Sequence, residues 1–138
     1  MLNRRDAESA ENEPSGALNA LAGAVIGAAI SVHRELGPGY LESVYEEALA
    51  LELRMAGVPF ERQVMVAVMY RGQEVGQGKL DMLVDRQLVV ELKAVDRLAP
   101  IHRAQMISYL KATGCMLGLV INFNETTLAK GVWRIICS

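Results

Sequence analysis

The sequence predicts an α/β domain in which helices cover the faces of one mixed β-sheet. Three observations predict this fold class: two helical patterns near the N-terminus, three strand patterns separated by short turns, and a later helix followed by two more strands. The predicted order is therefore α-α-β-β-β-α-β-β. The chain has 138 residues, of which 51% are hydrophobic and 22% charged, so its composition excludes a wholly disordered protein. We expect a single domain over residues 16–138 and a disordered polar tail over residues 1–15.

The first helix is predicted within a long uncharged segment. Gly16 to Val32 carries no charged residue, but it is at the short end for a membrane span, and the residues before it are acidic as well as basic. We therefore expect a buried amphipathic helix in a cytoplasmic protein that has no membrane partner. Gly23 and Gly27 lie four residues apart on one face, which favours tight packing inside the domain. A homodimer paired through this face is the alternative.

The second helix is predicted to end at Gly57-Val58-Pro59. Its core-facing stripe is expected to consist of Leu41, Val44, Tyr45, Ala48 and Leu49. The apolar run from Val64 to Tyr70 then predicts a buried strand. Later segments are predicted as strands over 77–84, 88–94, 115–122 and 132–137, with the third helix starting near Pro100 and stopping at Gly114.

Charged residues interrupt two of the predicted strands. Glu91 and Lys93 share one face of the strand LVVELKAV, and the preceding strand contains Asp81. A two-residue hairpin loop would place Asp81 opposite Leu92. A three-residue loop over 85–87 would place Asp81 opposite Glu91 instead, and both loop lengths are common in hairpins. The sequence leaves the two registers open.

The three-residue loop would bring two carboxyl groups together. Opposed side chains in a sheet lie about 5 Å apart at Cβ, so two carboxylates there repel each other unless a proton or a cation lies between them. Carboxylate and carbonyl oxygens suit Mg²⁺ or Mn²⁺. The alternative is that Lys93 forms an ordinary ion pair with Asp81 or Glu91 on a solvated sheet face.

The overall composition gives no general attraction to polyanions. Fourteen Lys and Arg stand against sixteen Asp and Glu, for a net charge of −2, and the aromatic residues are one Trp, four Tyr and two Phe. A nucleic-acid function therefore has to come from a local site.

The arrangement of an Asp on one strand and Glu-x-Lys on the next resembles the PD-(D/E)XK nuclease superfamily. The segment GYLESVY, from Gly39 to Tyr45, resembles the signature of the GxxExxY protein family within that superfamily. The surrounding segments HRELGPGYLESVYEEAL, ELKAVDRL and QMISYLKATG are also similar to that family. The resemblance covers roughly residues 18–137.

This resemblance implies a restriction-endonuclease-like mixed sheet and a Mg²⁺- or Mn²⁺-dependent nuclease acting on DNA or RNA. It implies that the metal ligands are Asp81, Glu91 and the carbonyl of Leu92. Lys93 would stabilise developing charge or polarise the attacking water. Further expected site residues are Glu42, which would reach the metal directly or through water, Gln105 and Tyr109 as a QxxxY element, and Lys79, where the family often has Arg.

Two other functions stay open at this point. One is a catalytically inactive interaction module on the same fold, which acts with a protein partner. The other is an oligomer formed through the first helix, which is compatible with either function. Because no segment is typical of a sequence-reading element, a separate targeting protein is a further hypothesis.

Overall fold

A computed structural model describes residues 13–137 of the chain. Most of the predicted polar tail, residues 1–12, lies outside the described residues. Ser15 has a structural role, because its hydroxyl accepts a hydrogen bond from the Leu18 N–H and caps the first helix.

The element order is the predicted one, and the fold class is confirmed. The elements are α1 (Gly16–Leu36), α2 (Glu42–Met55), β1 (Phe60–Tyr70), β2 (Gln73–Val84), β3 (Leu88–Lys93), α3 (Pro100–Thr113), β4 (Leu117–Asn122), a short 3₁₀ turn (Leu128–Gly131) and β5 (Val132–Ile136). The five strands form one sheet in the order β1-β2-β3-β4-β5. Only the β3–β4 pair is parallel, as the crossover through α3 requires.

Helices cover both faces of this sheet. On one face, α1 and α2 pack against Val90 and Leu92 of β3. On the other face, α3 places Met106 and Leu110 against Val89. Because side chains alternate along a strand, Glu91 and Lys93 share the α3 face with Val89.

The first helix contributes directly to the core. Val25 and Ala29 are fully buried, although α1 also has the length and mean hydropathy, 1.5, of a helix that can cross a membrane. Gly23 and Gly27 are exposed, and a Cβ added at either would meet no atom within 4 Å. The prediction of tight internal packing at these two glycines was therefore wrong, because the helix turns them away from the sheet.

The second helix turns most of the predicted stripe inward. Tyr45 is fully buried, stacks on Phe123 and donates its hydroxyl to the Gly37 carbonyl at 2.6 Å. Leu49 is also fully buried and Ala48 packs against the core, as predicted. Leu41 and Val44 were wrongly predicted as core residues: they are 76% and 37% exposed, because Leu41 precedes the first turn of the helix and Val44 lies at the edge of its inward face.

The apolar run of β1 is an edge strand and not the predicted buried one. It pairs with β2 alone, and only Val64 and Val66 in its second half pack toward α3. Four large apolar residues of the strand are exposed: Met65, Val68, Met69 and Tyr70.

Candidate active site

The loop between β2 and β3 settles the register that the sequence left open. Val84 pairs with Leu88 and Met82 pairs with Val90, which is the register of a three-residue loop. Asp85 and Arg86 in this loop both adopt left-handed backbone conformations, with φ of 49° and 55°. One residue further along each strand, this register places Asp81 opposite Glu91.

At this position, side-chain carboxylates accept the hydrogen bonds that main-chain carbonyls accept elsewhere in the sheet. The Asp81 N–H donates to Oε1 of Glu91 at 2.9 Å, and the Leu92 N–H donates to Oδ2 of Asp81 at 2.8 Å. Each carboxylate is therefore held by the main chain of the opposite strand. These two hydrogen bonds involve one oxygen of each carboxylate, and the second oxygen of each takes no part in them.

A kink in β1 lies directly beside the point where side chains interrupt the backbone pairing of β2 with β3. Gln63 has a φ of 52°. Arg62 pairs with Met82 and Val64 pairs with Leu80, but Gln63 between them has no backbone partner on β2. A positive φ is uncommon for a residue other than glycine, and it marks a strained position. Consequently Leu80 packs toward α3, whereas Met82 packs toward α1 and α2.

Glu46 of α2 anchors this kink. Its Oε1 accepts from the Gln63 side-chain amide at 2.6 Å, and its Oε2 accepts from the Arg62 guanidinium at 2.7 Å. Glu46 is only 9% exposed, which is unusual for an acid on a helix. Sequence reasoning missed both Gln63 and Glu46, and the one available signal was a polar pair, Arg62-Gln63, at the entry of an apolar strand.

Burial makes the carboxyl pair electrostatically unfavourable without a cation. Glu91 is 5% exposed. Burial, and after it the neighbouring charge of Asp81, raises the pKa of Glu91 from its ordinary value of 4.5 to about 8, although the charge of Lys93 opposes the shift. A divalent cation between the two groups would relieve the repulsion that produces this shift.

A polar chain extends from the carboxyl pair to α3. The Lys93 ammonium donates to Oε1 of Gln105 at 3.3 Å, and the Gln105 amide donates to the Tyr109 hydroxyl at 3.3 Å. Burial, followed by the charge of Glu91, raises the pKa of Tyr109. Gln105 and Tyr109 lie on one face of α3 because they are four residues apart.

Gly78 gives Tyr109 its space beside β2. A Cβ added at Gly78 would lie 2.8 Å from Cε1 of Tyr109 and 3.3 Å from the Val66 side chain. Such a contact is too close for carbon atoms, so only glycine fits here without a shift of the ring.

Comparison with known proteins decides the family. A family model of the PD-(D/E)XK nuclease superfamily matches residues 19–135, which span the chain from α1 to β5. The chain belongs to this superfamily. No curated protein and no solved structure shows significant similarity to it.

PD-(D/E)XK nucleases generally use divalent metals, and the residues present fit such an ion. Two facing carboxylates, beside the main chain of Leu92, supply the oxygen donors that Mg²⁺ and Mn²⁺ prefer. Within residues 13–137, no cluster of three or more His, Cys, Asp or Glu side chains could hold a metal. Asp81, Glu91 and the carbonyl of Leu92 therefore stay a predicted ligand set.

The structure does not bring every predicted site residue to this pair. Glu42 is an exposed residue in the first turn of α2, and it forms no three-acid cluster with Asp81 and Glu91 in the described part of the chain. Lys79 is an exposed residue of β2 whose main chain lies beside the Tyr109 hydroxyl. Their predicted roles in the site stay predictions.

Proposed function

We propose that this PD-(D/E)XK domain is a Mg²⁺-dependent nuclease, with Mn²⁺ as a substitute, that hydrolyses phosphodiester bonds in DNA or RNA. Membership of the superfamily indicates a nuclease-type function. The observation that carries the proposal is the exchange of hydrogen bonds between the Asp81 and Glu91 carboxylates and the opposite strands, with Lys93 on the same sheet face.

Asp81, Glu91 and the carbonyl of Leu92 would hold the cation. A bound divalent ion supplies Lewis-acid stabilisation of phosphate charge and lowers the pKa of a bound water. The protein's own contribution is rigidity, because both carboxylates are fixed by main-chain donors before any ligand arrives.

Lys93 would act on the scissile phosphate or on the attacking water. Its ammonium is a point charge on the same face as Glu91, and the Gln105 carbonyl orients it through the 3.3 Å hydrogen bond. We propose Gln105 and Tyr109 as the groups that keep Lys93 in place. Glu42 would contribute from α2 through water, and Lys79 would contact the substrate backbone.

Nucleic acid would bind through local positive charge, since the net charge of the chain is −2. Lys79, Arg97 and Arg103 are exposed residues on β2, after β3 and on α3. Binding through them should weaken as the salt concentration rises.

A second candidate function is an inactive module that acts through a protein partner. It is favoured by the exposed apolar residues of the β1 edge strand, Met65, Val68, Met69 and Tyr70, because such strands are common sites of protein pairing. Under this function the Asp81–Glu91 pair would support no turnover, and a targeting partner or a homodimer would cover the exposed surface.

Cleavage of a mixed panel of DNA and RNA with Mg²⁺ or Mn²⁺ tests the proposal. The wild type is compared with Glu91→Gln and with Glu74→Gln, an exposed acid on β2 that matches it in charge change. We expect cleavage by the wild type and Glu74→Gln, and none by Glu91→Gln. Equal cleavage by all three would contradict the proposed site. An inactive wild type that still binds Mn²⁺, with or without a protein partner added, would favour the inactive module.

A further inference from the structure

The one tryptophan of the chain lies in the same row of the sheet as the two carboxylates. Glu91 pairs with Val120 on β4, and Val120 pairs with Trp133 on β5. Since neighbouring strands are about 4.8 Å apart, the Cα atoms of Glu91 and Trp133 lie about 10 Å from each other. Trp133 packs at the margin of the α3-side cluster and keeps part of its surface accessible. Within residues 13–137, β5 is the edge strand on this side of the sheet.

A cavity of about 430 Å³ opens beside this ring. It is lined by Arg103 of α3 and by Val132, Trp133 and Arg134 of β5. Arg103 is exposed, and Arg134 also donates to the Asn19 side chain of α1. Among the described residues, the lining carries the Arg103 guanidinium and one indole on the α3 side and no carboxylate, while the Arg134 guanidinium turns toward α1.

These groups match the two parts of a nucleotide. An indole stacks on a base, and such stacking tolerates any base because every base has a π-face. A guanidinium binds a phosphate through two parallel hydrogen bonds. The volume of the cavity lies within the range of roughly 300–1,000 Å³ that holds small ligands.

We propose that the Trp133–Arg103 cavity binds an unpaired nucleotide of the substrate strand close to the Asp81–Glu91 pair. This inference rests on the proposed nuclease function and adds a substrate class to it. A base inside a duplex is already stacked on its neighbours, so it must be unpaired, in a single strand, at a frayed end or flipped out at a cost of a few kcal/mol, before it can stack on Trp133. The substrate is therefore unpaired where it meets β5, and single strands bind best.

Trp133 itself reports binding, because it is the only tryptophan present. The full chain is titrated in EDTA, where no cleavage occurs, with oligothymidylate or oligouridylate of about 12 nucleotides, a length within the usual range of single-strand sites. A blunt duplex of the same length is the comparison. We expect saturable quenching of tryptophan fluorescence by one or both single strands and at least about 5-fold weaker binding of the duplex.

Arg103→Gln tests the phosphate contact while leaving Trp133 in place. We expect its affinity for the single strand to fall about 5- to 10-fold, and the slope of log K against log salt concentration to decrease by about 0.7, the value for one lost contact to a single strand. Arg86→Gln is the matched control, since it removes the same charge at the exposed β2–β3 turn. Its affinity and slope should stay those of the wild type.

Trp133→Leu tests the stacking contact, with binding followed by the anisotropy of a labelled oligonucleotide and folding followed by circular dichroism. We expect a loss of affinity between about 5-fold and 150-fold for a folded variant. No saturable quenching, equal quenching by the duplex, or an Arg103→Gln protein that binds like Arg86→Gln would each overturn the proposal. If Trp133→Leu does not fold, the Arg103→Gln result decides alone.

The outcome is independent of the cleavage assay. Quenching that requires Arg103, in a protein that never cleaves, would keep this binding site and contradict the nuclease. Cleavage that requires Glu91, in a protein whose tryptophan is not quenched, would keep the nuclease and overturn this site.

Discussion

The main-chain N–H of Asp81 donates to Oε1 of Glu91 at 2.9 Å, at the point where the backbone ladder between β2 and β3 stops. The Leu92 N–H returns a hydrogen bond to Asp81 at 2.8 Å, so each acid completes the backbone of the strand opposite it. Replacement by Ala would leave a buried N–H without a partner, which typically costs about 1–3 kcal/mol. Asn and Gln keep an accepting oxygen, so Asp81→Asn and Glu91→Gln separate loss of charge from loss of structure.

The raised pKa of Glu91, about 8, predicts that the metal-free protein becomes less stable as the pH rises. The folded protein holds a proton that the unfolded chain releases near pH 4.5, so this stabilisation is complete below 4.5 and is lost as the pH rises through 8. Between about pH 6 and pH 9 we expect the free energy of unfolding in EDTA to fall by about 2–3 kcal/mol. Urea unfolding at several pH values measures it.

Glu91→Gln is the control for that pH dependence. Its side chain does not titrate, so its stability should change much less over the same range. Added Mn²⁺ should reduce the loss in the wild type at high pH, since a cation stabilises the ionised pair. A wild type and a Glu91→Gln protein with the same pH dependence would contradict the assignment of the shift to Glu91.

Gln63 should tolerate glycine better than a β-branched residue. Its φ of 52° suits glycine, whereas valine at this φ is strained. Both substitutions lose the hydrogen bond from the Gln63 side chain to Glu46, so the difference between them reports the backbone strain. We expect Gln63→Val to destabilise the fold by about 1–3 kcal/mol and to weaken Mn²⁺ binding, and Gln63→Gly to bind Mn²⁺ within a few-fold of the wild type. Gln77→Val, at an exposed position on β2, is the control and should change neither property.

Gly78→Ala is predicted to lower activity by displacing Tyr109. The new Cβ would lie 2.8 Å from the ring of Tyr109, which holds Gln105 and through it Lys93. A displacement of this kind typically costs on the order of 10- to 100-fold in kcat. Gly76→Ala is the matched control on the same strand, since its Cβ would meet nothing within 4 Å. Equal cleavage rates for Gly78→Ala and Gly76→Ala would show that the position of Tyr109 does not affect activity.

Lys93→Met should separate metal binding from turnover. The variant keeps the two carboxylates and much of the side-chain volume but removes the ammonium that Gln105 orients. We expect kcat to fall by about 10²–10³-fold. Mn²⁺ affinity, measured at about pH 9.5 where Glu91 is ionised, should change only a few-fold. A variant that cleaves at the wild-type rate would show that Lys93 is a structural residue.

The sequence limited Asp81 to two registers relative to Glu91 because hairpin geometry is local, and the resemblance to the PD-(D/E)XK superfamily implied the one that the structure has. A three-residue loop with left-handed Asp85 and Arg86 fixes the register for the whole of β3, so the position of Asp81 relative to Glu91 needs no tertiary information. The element order was equally accessible, since Pro100 and Gly114 mark the ends of α3.

The predictions that were wrong concern the burial of residues whose neighbours in space are distant in the sequence. Hydrophobicity predicts that a segment packs against something, but it does not say which segment covers it. Met65 and Tyr70 are apolar and exposed because β1 is the sheet edge, and Glu46 is polar and buried because Arg62 and Gln63 of β1 meet it. The kink at Gln63 depends on that contact, so no local pattern reveals it.

Binding of Mn²⁺ at equilibrium tests most directly whether Asp81 and Glu91 form one metal centre. The wild type, Asp81→Asn, Glu91→Gln and Glu74→Gln are titrated with Mn²⁺, and free Mn²⁺ is followed by electron paramagnetic resonance. We predict one Mn²⁺ site or more in the wild type and in Glu74→Gln, affinity that rises as the pH passes through about 8, and loss of that site in both other variants. Unchanged Mn²⁺ binding by Asp81→Asn and Glu91→Gln would contradict the account.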